Sequence, residues 1–243
     1  MMLSFLVGVV RADSRTLLRD PVLPLFALVP FLAAGAVFFA LPPLLGALSS
    51  ILPGDILHSY SEIRTTVHLF LLLTAPLMWG TVYGFFALDD RDDGIFQILA
   101  ASPVSPGMLL SLRLLLPAFC TLLYIALLRL LLPLPNAPGA LWMGASLLMA
   151  LEAPLTALIV ATLASNKVEG LAVSKASSLL FVGPLIGLLL PEPRSFLGMI
   201  APQYWVVVPL VRGVEPLGAP LILAVGLLYH LALILLLARR YTR

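Results

Sequence analysis

Six apolar stretches, each about as long as a bilayer crossing, follow one another through this 243-residue chain with little between them. A membrane-spanning α-helix needs about 20 predominantly apolar residues, because hydrocarbon offers its backbone no hydrogen-bond partners. The stretches are read at 22–43, 65–88, 107–132, 139–164, 172–191 and 217–238. They predict an all-α polytopic membrane protein, a single transmembrane domain over 1–243. With 61% hydrophobic and 11% charged residues, the chain lacks the polar side chains to cover a water-facing surface. Pro133-Leu134-Pro135-Asn136-Ala137-Pro138 predicts a tight hairpin between the third and fourth spans. The fifth span is the shortest and reaches full length when Lys175 snorkels to the interface.

Six spans place both termini on one side, and the basic residues say which. Arg11, Arg15, Arg19, Arg91, Arg113, Lys167, Lys175, Arg239, Arg240 and Arg243 fall on the side of the termini, against Arg64, Arg194 and Arg212 on the other. Both termini are therefore expected in the cytoplasm, and the protein in the inner membrane of a prokaryote. Residues 1–20 lack the basic start and cleavage site of a signal peptide, so they are expected to be retained. Within them Arg11, Arg15 and Arg19 stack opposite Leu3, Leu6, Val10 and Leu17. That pattern predicts an amphipathic helix in the headgroup layer, in contact with membrane lipids and stopped by Pro21.

The largest cytoplasmic connection holds Asp89-Asp90-Arg91-Asp92-Asp93-Gly94. One reading is chemical. Asp89, Asp90 and Asp93 match the aspartate-rich pattern with which membrane prenyl or lipid transferases hold magnesium, a hard cation that wants oxygen ligands. Such enzymes need a second acidic cluster, and every other acid here is isolated. The other reading is structural: Asp92 or Asp93 caps a short helix from Gly94 to Ala101, with Ile95, Ile98 and Leu99 on one face and Ser102-Pro103 ending it. A non-transporting membrane accessory protein would share this composition.

The stretch Asp93-Gly94-Ile95-Phe96-Gln97-Ile98-Leu99, followed by Ser102-Pro103-Val104-Ser105, resembles the first cytoplasmic loop of ABC exporter permeases of the type-2 class. Asn166-Lys167-Val168-Glu169-Gly170 and Pro202-x-Tyr204-Trp205 are similar to that family too, including its drug and antibiotic exporter branch. The resemblance implies a permease that exports an amphiphilic, drug-like or lipid-like substrate. It also implies a second permease chain, identical or homologous, and a cytoplasmic ATP-binding subunit. Asp93, Gly94, Ile95, Ile98 and Leu99 would couple to that ATPase, with Lys167, Glu169 and Gly170 as a second contact. No Gly-x-x-x-x-Gly-Lys-Ser/Thr occurs in this sequence, so ATP and magnesium would sit on the partner and no catalytic residue, cofactor or metal is expected here.

Three features remain. Glu152 in the fourth span and His230 in the sixth lie near mid-bilayer, where a charge costs at least ~2.5 kcal/mol; the two are expected to pair. Pro202, Tyr204 and Trp205 mark an external re-entrant or interfacial element anchored by its aromatic rings. The lone Cys120 rules out an internal disulfide, and no basic cluster with interleaved aromatics suits nucleic acid.

Overall fold

The structure is a computed structural model that describes residues 2–49, 56–101, 105–132, 137–213 and 218–241. Its described helices are α1 (Met2–Arg19), α2 (Leu23–Ser49), α3 (Ile56–Asp92), α4 (Ile95–Ala100) and α5 (Pro106–Leu131), then α6 (Gly139–Leu163), α7 (Lys167–Ser177), α8 (Val182–Leu189), α9 (Tyr204–Arg212) and α10 (Gly218–Tyr241). Six segments are long and apolar enough to cross a membrane: Leu23–Ala47, Ile63–Asp92, Pro106–Leu130, Gly139–Leu163, Lys167–Leu189 and Gly218–Tyr241. Each overlaps one of the expected spans. The hairpin expected at 133–138 and the helix stop expected at Ser102-Pro103 lie largely or wholly outside the described residues.

α3 and α6 form the centre of the bundle, with 72% and 67% of their spans inside the protein, against 17% for α2 and 11% for α10. Small residues let the two central helices approach. A Cβ on Gly80 would stand 2.5 Å from Thr156 Cβ and 2.6 Å from the Ala153 carbonyl, and one on Gly84 2.8 Å from Val160 Cβ. Gly80 and Gly84 are four residues apart and so share a face, the spacing that lets membrane helices pack backbone to backbone. Leu72, Leu73, Leu128, Trp142 and Met149 fill one part of the core, Val82, Phe85, Phe86, Leu88 and Val160 a second, and Leu155, Leu158 and Ile234 a third.

α1 is amphipathic as its spacing predicts, with Arg11, Arg15 and Arg19 exposed. It stops before Pro21, and Asp20 Oδ1 accepts from the Val22 and Leu23 amides at 2.8 and 3.3 Å to start α2. At the other end of the chain, the Tyr241 hydroxyl donates to the Ala87 carbonyl at 2.9 Å. The last turn of α10 therefore lies beside the last turns of α3, at the end of the bundle that also holds Asp13 of α1.

The fifth span starts earlier than 172 and is not one continuous α-helix. α7 is followed by a 3-10 turn at Ser178–Phe181 and then by α8. Pro184, two residues into α8, has no N–H for the carbonyl four residues back, which favours a break there. Beyond α8 the chain turns back: the 3-10 segment Arg194–Ile200 runs beside α8, and α9 follows it. Gly198 makes this possible, since a Cβ there would run into the Gly183 carbonyl and stand 2.8 Å from the Tyr204 ring.

Candidate functional site

The charged turn at the end of α3 is built differently from its sequence-based expectation. Neither Asp92 nor Asp93 caps α4. The residue at the α4 N-cap position is Gly94, with φ 65° and ψ 25°, and no side chain caps the helix. α3 continues to Asp92 and closes with Asp93 N donating to the Asp89 carbonyl at 2.8 Å and Gly94 N to Arg91 at 3.1 Å. The chain then needs a left-handed residue to leave the helix, which glycine takes at little steric cost. The Gly94 carbonyl in turn accepts from the Gln97 and Ile98 amides, at 3.0 and 3.2 Å, and so begins α4.

Carboxylates at a helix C-terminus oppose the dipole, and here cations from other helices offset that cost. Asp90 binds Arg113 of α5 through two contacts, Nε to Oδ2 at 2.6 Å and Nη2 to Oδ1 at 3.0 Å. The remaining Nη1 donates at 2.7 Å to both oxygens of Asp13 on α1. All three side chains are about nine-tenths buried, and the guanidinium also lies 5.3 Å from the Phe86 ring. Burial pushes the Asp13 carboxyl above the ordinary carboxylate value, and the Arg113 guanidinium pulls it back. Asp89 meets Lys167 Nζ at 3.0 Å, and Asp20 lies 3.8 Å from the same nitrogen. Arg91 donates to the Ala161 and Ala164 carbonyls at the end of α6, at 3.3 and 3.0 Å.

This arrangement disfavours the magnesium reading. Asp89 and Asp90 point to different cations, and among the described residues no group of three or more acids, histidines or cysteines is poised to hold a metal. The pairing of Asp13 with Arg113 is absent from the sequence-based expectations. The available signal was Arg113 itself, a guanidinium inside an apolar run that demands a carboxylate.

Of the coupling residues implied by the resemblance, Ile95, Ile98 and Leu99 share one face of α4, on which Ile98 is 63% exposed and Ile95 and Leu99 are half-buried. Asp93 is exposed. The second contact, at 166–170, is the first turn of α7 and not a separate loop. Asn166 Oδ1 accepts from the Val168 and Glu169 amides at 3.0 Å each, and Glu169 Oε2 accepts from the Ser165 amide at 2.8 Å, a reciprocal cap. Gly170 packs on Phe85 and Leu88. Lys167, Glu169 and Gly170 thus build the fold locally, and Val168 is the residue that projects, 81% exposed.

Two further predicted groups lie deeper. Glu152 and His230 approach to 3.9 Å between Oε1 and Nε2, both fully enclosed. The element expected on the external side packs inside the bundle: Pro202 and Tyr204 are buried, and Tyr204 packs on Gly187. Trp205 Nε1 donates to the Met199 carbonyl at 3.1 Å, and its ring faces Tyr204 and Tyr229. These rings anchor the element to α8 and α10, because the chain folds back along α8.

Comparison with known proteins gives the family. The model of fluoroquinolones export permease protein Rv2686c-like matches residues 13–238, which takes in α2 to α9 whole, the second part of α1 and all but the last turn of α10. Relatives include the fluoroquinolones export permease proteins Rv2686c and MT2760 of Mycobacterium tuberculosis strains ATCC 25618 / H37Rv and CDC 1551 / Oshkosh. Each is 26% identical over 240 residues, covering 95% of this chain and 91% of the relative. No solved structure matches. The chain belongs to the Rv2686c-like family of fluoroquinolones export permease proteins and is an integral protein of the bacterial inner membrane.

Proposed function

We propose that the chain is the permease subunit of an ATP-binding-cassette exporter, paired with a second permease chain and driven by a separate cytoplasmic ATPase. The observation that carries this reading is α4. It is a short helix hung between the second and third spans, at the charged end of the bundle and outside the apolar segments. Exposed leucines along α2 and α10 lie on membrane-length apolar helices, but Ile98 is 63% exposed on a helix outside those segments. A large apolar side chain in that position suits insertion into a groove of a soluble partner.

A push on α4 would not stay local. Asp90 and Arg113 clamp the two helices that flank α4, and Asp13 carries the same clamp to α1. Lys167 joins the end of α3 to α7, and the Thr81 and Ser174 hydroxyls join the same pair of helices at 2.7 Å. The displacement would reach the groove between α2, α3 and α7, lined by Leu25, Phe26, Val29, Met78, Leu171 and Lys175. An apolar wall with one ammonium group suits amphiphiles that carry an acid, the class to which the relatives' fluoroquinolones belong.

The test is to purify the tagged chain from its native membranes in mild detergent and identify what accompanies it. A stoichiometric chain bearing a Walker motif, with ATP hydrolysis in the same fraction, is expected. A preparation free of any nucleotide-binding partner would overturn the proposal.

A further inference from the structure

The buried group around Glu152 has an excess of acceptors that the proposed exporter role does not use. Glu152 lies 13 residues into α6 and His230 12 residues past the start of α10, so each sits about 20 Å along its helix, in the middle of the membrane. His230 is 0% exposed and Glu152 2%. His230 Nδ1 lies 2.7 Å from the Gly226 carbonyl oxygen. A carbonyl only accepts, so Nδ1 carries the hydrogen and Nε2 is left with its lone pair. That nitrogen faces Glu152 Oε1, and neither atom has a hydrogen-bond partner. Gln203, the residue before α9, is the other polar neighbour of Glu152, and its Oε1 is buried without a partner as well.

A carboxylate oxygen, an imidazole lone pair and an amide oxygen are all acceptors. Leaving such buried atoms unpaired costs the full desolvation penalty of each group. One added proton, on Oε1 or on Nε2, turns an acceptor into a donor and joins the pair. A closure of about 1 Å, within reach of side-chain rotation, brings the two atoms to hydrogen-bond distance. The pair is then neutral overall, whether as acid and imidazole or as carboxylate and imidazolium. The other titratable side chain at the site is Tyr229, whose ring lies 6.3 Å from that of His230 and whose hydroxyl is committed to the Ile200 carbonyl. Among the described residues, α3, α5 and α9 bring no charged side chain to act on Glu152.

We propose that Glu152 and His230 form a proton-binding site inside the membrane, holding one exchangeable proton between Oε1 and Nε2. Gln203 places the re-entrant element at that proton. A shift of Arg194–Ile200 and α9 would move Gln203 and change how tightly the proton is held, so proton occupancy and the position of the external element are linked.

The test uses the full-length permease alone, reconstituted in lipid, so its outcome does not depend on what the cytoplasmic partner proves to be. Infrared difference spectra are recorded across a pH series, and the C=O stretch of a protonated carboxyl is followed together with the ring modes of an imidazolium. A band that titrates with pH, is lost in Glu152→Gln and changes its proton affinity at least ~10-fold in His230→Asn, about one pH unit, is the expected result. If Glu152→Gln does not fold, Glu152→Asp keeps the acid and is expected to shift the band's frequency. A titrating band that ignores both residues, the same midpoint in His230→Asn, or neither a carboxyl nor an imidazolium band that depends on Glu152, would each overturn the proposal.

Discussion

Arg113→Ala lowers the stability of the permease by about 3–5 kcal/mol, the cost of breaking a buried ion pair from one side. The reason is specific to this site. One guanidinium serves two carboxylates, so its removal leaves both Asp13 and Asp90 about nine-tenths buried with no cation. Arg113→Lys is expected to recover only part of the loss, since an ammonium does not reproduce the planar fork that meets Asp90 with two nitrogens and Asp13 with a third. Asp13→Asn, which removes one charge and leaves Asp90 paired, is expected to cost less than Arg113→Ala. Thermal unfolding in detergent, followed by loss of monodisperse protein, ranks the three. Equal stability of Arg113→Ala and wild type would show that the triad does not hold α1, α3 and α5 together.

The second large effect is steric. Gly80→Leu places a branched side chain where even a Cβ meets the Ala153 carbonyl at 2.6 Å and Thr156 Cβ at 2.5 Å. Because the obstacle includes backbone, α3 and α6 must separate, and the cost is expected at about 3 kcal/mol, the upper part of the range for overpacking. Gly35→Leu is the control, since a Cβ at Gly35 of α2 meets nothing within 4 Å. The same unfolding measurement is expected to show a large drop for Gly80→Leu and almost none for Gly35→Leu. Similar values for the two would contradict the close packing of the central helices.

The contrast between these sites shows what a linear sequence carries. The spans, the amphipathic α1 and the short helix after Gly94 were legible because their signals are local: apolar length, arginines every four residues, a glycine before an apolar turn. The reciprocal cap of Asn166 and Glu169 is equally local, with the acid three residues after the cap, and a capping-box reading would have found it. The acids at 89–93 were misread because their partners are distant. Asp90 finds Arg113 23 residues on, and Arg113 finds Asp13 100 residues back. Nothing local distinguishes a carboxylate waiting for magnesium from one waiting for a guanidinium on another helix. The interior position of Tyr204 and Trp205 was hidden in the same way, since it depends on Gly183, Gly187 and Gly198 letting the chain fold back along α8.

If α4 carries force from a separate ATPase into the membrane, as proposed, Ile98→Asp breaks that link. The substitution lies on an exposed position, so the fold should persist. Burying an unpaired carboxylate in an apolar docking groove costs several kcal/mol, and each ~1.4 kcal/mol is tenfold in binding. The measurement is export of a fluoroquinolone and the accompanying ATP hydrolysis in vesicles holding the permease and its co-purified partner. Ile98→Asp is expected to lower export at least ~10-fold and to leave only the partner's uncoupled hydrolysis, with unfolding unchanged. Wild-type export and coupled hydrolysis in that variant would contradict the proposal.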